Sequence, residues 1–382
     1  MLKKKLQIIF IVLFFLMIAV PLAAMFFQHE IMDIEENRRL AEPARLTVLQ
    51  GGLNRDFPAE FERWLNDHIG FRKQMIQLHG QFHYYVYHVF PKEQPYMLGR
   101  AEALNYETGE MLLDYQHRNL YTEAYLKEAA ESLQKIKDYA EAKNIDFYYF
   151  QCWDKHSIYP EHMPEEILQY GGNSKTDEIL RALEEYTDIP VISPKAELLS
   201  AKKSCAPYSF WGDPTHWTER GSFIGYQVLM NRINQGRSKA FPVLTEADYK
   251  IRLKDDGLIR YGIIHKESIE EHFQLRDPKA ELTSEKLSSY AGEPRCFYYT
   301  NKAVNNDTRV LIIGDSYIHD FNLPSIAESF QETVFIHGSH MPDFQNLVET
   351  FDPDLIIIEN AEREDRTGLW ILTASAGLKQ NN

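Results

Sequence analysis

Val310-Leu311-Ile312-Ile313-Gly314-Asp315-Ser316-Tyr317 is the stretch on which the reading of this chain turns. Four successive apolar residues, three of them β-branched, make too short a run for a buried helix. They are also too uniformly apolar for a strand with one wet face. Such a run predicts a strand buried on both sides, here over 309–313. The pattern recurs on either side of it. Helical spacing over 324–330 and 343–350 alternates with apolar runs over 333–337 and 354–359. Upstream, Thr122 can cap a helix running to about 143, with Leu126, Ala130, Leu133, Ile136 and Tyr139 along one stripe. That helix feeds a strand over 146–151, and a second helix over 175–186 feeds one over 189–192. Alternating helices and near-continuous apolar strands predict an α/β fold of three layers, α/β/α, around a parallel sheet.

The other end of the chain carries a different signal. Lys3, Lys4 and Lys5 precede an unbroken apolar run from Ile8 to Phe27, 20 residues long and interrupted only by Pro21. A helix of that length crosses a hydrocarbon core of ~30 Å. Signal peptides have a shorter apolar region, so the run reads as an uncleaved transmembrane anchor with its lysines in the cytoplasm. Residues 1–27 are then the tip and anchor. Residues 28–120 are a membrane-proximal linker and helical segment, and 121–382 an α/β domain with an illegible insertion around 232–300. Phe57, Phe61, Trp64, Leu65 and Ile69 recur at helical spacing, which predicts one or two helices between 57 and 90. A net charge of −15 argues against nucleic acid as a partner. Cys152, Cys205 and Cys296 lack metal-ligand spacing, and a Cys205–Cys296 disulfide rests on parity alone. His79 and His83 are four residues apart without an accompanying glutamate, and they read as packing histidines. No metal site is expected.

Serine at the carboxyl end of a parallel strand sits where open α/β sheets place their active sites. The competing reading of Asp315-Ser316 is a helix cap, for which both residue types are favoured. A second motif bears on the choice. Trp211-Gly212-Asp213-Pro214-Thr215-His216-Trp217 sets an aspartate three residues before a histidine on one turn. A nucleophilic serine needs a base, and the base needs a partner that fixes its tautomer. The predicted catalytic set is therefore Ser316, His216 and Asp213.

Gly-Asp-Ser-Tyr after a strand, together with Asp-x-x-His, resembles the SGNH (GDSL) hydrolase superfamily. The order here, with Asp-x-x-His before the serine, is similar to the alginate O-acetyltransferase accessory proteins and their DHHW relatives. Further segments carry that resemblance: Glu36-Asn37-Arg38-Arg39-Leu40-Ala41, Asn66-Asp67-His68-Ile69-Gly70-Phe71-Arg72, Asp154-Lys155-His156-Ser157-Ile158-Tyr159-Pro160, and Glu362-Arg363. Many relatives space the aspartate and histidine by one residue, where this chain has two, one of them Pro214.

The resemblance implies an SGNH-like catalytic domain outside the cytoplasm, held by a single-pass anchor in the cell membrane. It would acetylate a cell-surface or secreted polysaccharide through an acetyl-serine. No cofactor is implied; the acetyl group would come from a donor or from a polytopic membrane-bound acyltransferase (MBOAT type) as partner. Gly338 and Asn360 stand where the superfamily contributes oxyanion donors. The alternative readings are a turn glycine and a loop amide. Lys155 and Arg363 are either substrate-orienting or surface charges. Trp153, Trp211, Trp217, Tyr159 and Tyr317 offer stacking faces for sugar rings, or else pack the loops. An esterase or polysaccharide deacetylase would use the same triad with water as acceptor, and a non-catalytic assembly scaffold would keep only the fold.

Overall fold

The computed structural model describes residues 2–27, 32–33, 38–47, 51–92, 95–257, 262, 264–283, 287, 295–363 and 366–378. Glu36 and Asn37 of the Glu36–Ala41 motif lie outside the described residues, as do parts of 232–300. The chain forms two compact units, residues 1–93 with 258–265 and residues 94–257 with 266–382. The boundary falls at 93/94, not at the expected 120/121, and long-range ties explain the difference. Tyr96–Leu98 and Leu104–Tyr106 form a hairpin. The Leu104 amide donates to the Phe210 carbonyl at 2.9 Å, and Asn105 Nδ2 donates to the His162 carbonyl at 3.0 Å. Helix Gly109–Tyr115 buries Met111 and Tyr115 against Met163.

In the first unit, α1 spans Leu2–Met25, long and apolar enough to cross a membrane. The helices expected between 57 and 90 are two, α2 (Phe57–His68) and α3 (Arg72–Tyr87). The rings of Phe57, Phe61, Trp64 and His68 follow one another along α2 at 5.5–5.8 Å. The break between the helices has a local cause. Phe71 takes the left-handed conformation, with φ 64°. A Cβ at Gly70 would sit 2.4 Å from Ala24 Cβ, and the Gly70 amide donates to the Pro21 carbonyl at 3.1 Å.

The second unit is built on a seven-stranded sheet. In chain order its strands are β1 (Asp146–Cys152), β2 (Val191–Ile192), β3 (Glu281–Thr283), β4 (Cys296–Thr300), β5 (Arg309–Gly314), β6 (Glu332–His337) and β7 (Leu355–Ala361). The spatial order is β2-β1-β7-β5-β6-β4-β3. The first five run parallel. β4 and β3 add an antiparallel edge drawn from the region with no legible period. A second antiparallel pair, Tyr249–Asp255 with Ile269–Leu275, also lies in that region.

Residues along each central strand alternate between two cores. Leu311, Ile313, Ile356 and Ile358 face helices Glu123–Glu141, Lys175–Tyr186 and Phe344–Phe351. Val310, Ile312, Leu355 and Ile357 face helices Glu219–Asn234 and Leu323–Ala327. Both faces are covered, which is why these strands read as continuous apolar runs. Each fully buried Ile or Leu contributes roughly 1.5–3 kcal/mol. Helix starts follow their caps: Thr122 Oγ1 accepts from the Tyr125 amide at 3.3 Å, and Ser174 with Asp177 forms a capping box. None of the three cysteines forms a disulfide, so the Cys205–Cys296 pairing is not formed.

Candidate active site

β5 ends at Gly314, and the chain turns at Asp315 into helical geometry beginning at Ser316. Of Asp315 and Ser316, it is the aspartate that caps the turn. Asp315 is the one whose side chain satisfies the start of the turn, with Oδ1 accepting from the Tyr317 amide at 2.9 Å and Oδ2 from the Ala361 amide at 3.1 Å. Ser316 is thereby left to reach outward, and its Oγ lies 2.7 Å from His216 Nε2. Gly314 has a packing reason as well. A Cβ there would sit 2.4 Å from Glu359 Oε2 and 2.9 Å from Glu359 Cβ. The same Oε2 accepts the Asp315 amide at 2.7 Å. Gly314→Ala is therefore expected to cost roughly 1–3 kcal/mol, as overpacking does. Chemical denaturation checks this, and an unchanged midpoint would contradict it.

His216 is set by its own loop. Asp213 Oδ1 accepts the amides of Thr215 at 2.7 Å and His216 at 3.3 Å, which closes the turn. His216 Nδ1 lies 2.8 Å from both Asp213 Oδ2 and Thr215 Oγ1. Desolvation pulls the Asp213 carboxyl upward, but the hydrogen bond and charge of His216 and the hydrogen bonds of Thr215 outweigh it and hold the carboxyl at about 2. Behind the loop, Trp217 is buried against helix Glu219–Asn234. Gly221 and Gly225 make room for it, since a Cβ at Gly225 would sit 2.7 Å from its ring. Thr218 caps that helix, its Oγ1 accepting from the Gly221 amide at 3.1 Å. The sequence thus reaches Ser316 through a rigid strand end and His216 through a capped, tryptophan-anchored turn.

Arg363 closes one side of this arrangement. It directs Nη1 to the Thr215 carbonyl at 2.7 Å and to Asp154, and Nη2 lies 3.4 Å from His216 Nε2. The Tyr317 hydroxyl lies 2.8 Å from Asp154 Oδ1, 2.9 Å from the Trp153 carbonyl and 3.1 Å from the Thr215 carbonyl. Asp154 is held in turn by Glu362, whose Oε2 accepts the Asp154 amide at 2.9 Å. Sequence reasoning did not assign a role to Asp154 or Thr215. The available signal was polar residues at the ends of otherwise apolar strands, namely Asp154 after β1 and Glu362-Arg363 after β7. Among the described residues Asp154, His156 and Glu362 also have metal-like spacing, with donor atoms within 4.8 Å of one another. Protein donors engage one oxygen of Asp154, Oδ1, through Tyr317 and Arg363, and Ser157 Oγ donates to Glu362 Oε1 at 2.6 Å; Asp154 Oδ2 is buried without a hydrogen-bond partner among the described residues.

Of the other expected site residues, Gly338 lies by the strand end and the rest are placed differently. Asn360 is two residues past Ile358 along β7, so its side chain shares the face of Ile356 and Ile358. Its Nδ2 donates to the Ala361 carbonyl at 3.0 Å, and it lines a recess with Tyr121, Leu133, Tyr149 and Ile371. Strand parity separates it from Ser316. Gly338 follows His337, the residue of β6 that pairs with Gly314, so its backbone stands beside the strand end that leads to Ser316. Lys155 is buried and donates to the carbonyls of Leu104 and Phe210, and burial pushes its ammonium down to about 7. It ties the Leu104–Tyr106 strand to the loop at Phe210. Trp153, Trp211, Trp217 and Tyr317 are 0–1% exposed and Tyr159 is 9% exposed. These rings pack the loops and offer no sugar-stacking surface. Lys195 covers Trp153 at 3.7 Å and Lys266 covers Trp211 at 4.5 Å.

No family model matches the sequence, and a search of curated proteins finds no match. Solved structures do match. PatB1 of Bacillus cereus aligns with a TM-score of 0.52 at 14% identity, over 70% of this chain and 95% of that one. A DHHW family protein from Eubacterium siraeum aligns at 0.47 and 13% identity, over 66% of this chain and 89% of that one. The O-acetyltransferase domain of Pseudomonas putida AlgJ aligns at 0.47 and 11% identity, over 74% and 99%. The likeness to PatB1 is one of fold, an α/β arrangement around a mostly parallel sheet, as the alternation of helices and apolar strands predicts.

Proposed function

We propose that this protein is a membrane-anchored O-acetyltransferase acting outside the cytoplasm on hydroxyl groups of a polysaccharide. The observation that carries the reading is the hydrogen-bonded series Ser316–His216–Asp213 at the carboxyl end of a parallel sheet. Ser316 Oγ attacks an acetyl carbonyl while His216 Nε2 takes its proton, and that proton passes to the departing alcohol or thiol of the donor. The acetyl-serine is then attacked by a sugar hydroxyl, whose proton goes to His216 and on to Ser316 Oγ as the ester bond breaks. Asp213 holds the imidazole with Nδ1 protonated throughout. Arg363 steadies the Thr215–His216 backbone from the other side. The choice of acetyl as the group, polysaccharide as acceptor and a polytopic membrane acyltransferase as donor rests on the motif resemblance. The apolar α1 supports the anchor.

One observation favours a second reading, an SGNH-type esterase or polysaccharide deacetylase. The aromatic rings near the site are buried and do not form a glycan platform. A transferase must let a sugar hydroxyl compete with water, which is far more concentrated, and so needs a bound acceptor. The test preloads the protein from an activated acetyl ester and adds candidate oligosaccharides. The transferase yields acetylated sugar, dependent on Ser316 and His216. Free acetate alone, together with loss of acetate already bound to polysaccharide, identifies the esterase.

A further inference from the structure

The apolar residues of α3 lie on the wrong face for a soluble protein. Met75, Leu78, Phe82 and Val86 recur at intervals of three, four and four, which is one stripe of a helix. That stripe faces outward: Leu78 is 68% exposed and Phe82 53%. The opposite face carries Gly80 and Tyr84, which are buried, and Gln77, whose Nε2 donates to the Gly262 carbonyl at 2.8 Å. Gly80, Gln77 and the single ring of Tyr84 thus face the protein, and the large apolar stripe faces away from it.

Two further features say what covers the stripe. Gly70, two residues before α3, donates its amide to Pro21 and packs against Ala24. Pro21 and Ala24 belong to the last turns of the apolar α1. The start of α3 is therefore pinned at the level where the candidate membrane span ends. The charge pattern points the same way. From Arg72 to Lys92 there is no Asp or Glu, while Arg72, Lys73 and Lys92 are basic, in a chain whose net charge is −15. A helix with an apolar face, a basic start and no acids suits the boundary between lipid headgroups and acyl chains.

We infer that α3 is an interfacial helix that lays the Met75–Val86 stripe into the membrane surface beside the anchor. The inference rests on the reading of α1 as a membrane span. Its occupant is lipid, and not a groove on a partner protein. The helix would hold the first unit against the bilayer instead of leaving it on a loose tether.

The test uses the 382-residue chain with Cys205 and Cys296 changed to serine, reconstituted in phosphatidylcholine vesicles with and without phosphatidylglycerol. Spin labels are placed singly at Leu13→Cys, Leu78→Cys, Phe82→Cys and Lys127→Cys, and their collisions with oxygen and with a water-soluble nickel chelate are measured. Positions 78 and 82 are expected to show an oxygen-to-nickel ratio about threefold above position 127, at shallower depth than position 13. Position 13 in lipid with 78 and 82 open to nickel leaves the anchor standing and overturns the interfacial helix. Labels at 78 and 82 shielded from both probes mean that protein covers the stripe, which also overturns it. Position 13 open to nickel removes the anchor, and the inference falls with it.

Discussion

Ser316→Ala is expected to abolish acetyl loading and to lower turnover of an activated acetyl ester by about 10³–10⁶-fold. Ser316 Oγ is the hydroxyl that faces His216 Nε2, at 2.7 Å. Removing it deletes one hydrogen bond, worth about 1 kcal/mol to stability, and leaves the strand end, the Asp315 cap and the His216 loop with their own partners. The loss is therefore in chemistry and not in folding. Intact-mass analysis after incubation with the ester reads it directly: one added acetyl group on the parent protein and none on the variant. Equal labelling of the two proteins would move the nucleophile elsewhere and return the Ser316–His216 contact to a structural role.

Asp213→Asn is expected to cost about 10³–10⁴-fold in turnover at unchanged ester binding. The carboxylate divides its work. Oδ1 accepts from the amides of Thr215 and His216 and from the Thr215 hydroxyl, and Oδ2 faces His216 Nδ1. An asparagine has one acceptor oxygen. With that oxygen keeping the turn closed, its NH₂ group meets Nδ1 and favours the tautomer protonated at Nε2, which cannot take the Ser316 proton. Because the Asp213 carboxyl is held at about 2, it is ionised throughout pH 4–8. The parent protein therefore owes no activity change in that window to Asp213, and the variant's deficit should be present across all of it. A deficit that vanishes at high pH, or a loss under tenfold, would show that the aspartate only shapes the loop.

The fold class was legible because its signals are local. The apolar run at 310–313 and the helical stripe from Leu126 to Tyr139 each declare a period within a dozen residues, and a two-faced parallel sheet follows from their alternation. The Asp213–His216 turn was legible for the same reason, as was the apolar α1. The antiparallel edge, β3 and β4, was not. Those strands take partners far along the chain and stand half-exposed, so neither a continuous apolar run nor a clean alternation marks them.

Tertiary structure alone decided which polar residues share the Ser316 side of the sheet. Asn360 and Glu359 are neighbours in sequence, yet Glu359 packs on Gly314 and supports the Asp315 amide, while Asn360 belongs to the opposite face. A shift of one residue reverses every side chain of a strand, and register is set by pairing between β7, β5 and β1, not by composition. The same holds for the charges. Lys155 and Arg363 are equally cationic in the sequence, but Lys155 is enclosed on the carbonyls of Leu104 and Phe210, and Arg363 reaches Thr215 and His216. The tryptophans around the Asp213–His216 turn are sealed by segments 40–60 residues away, as Trp153 is by Ser193 and Lys195 and Trp211 by Lys266. A sequence declares which residues can do chemistry; whether they face a substrate or a neighbour depends on contacts that only chain closure creates.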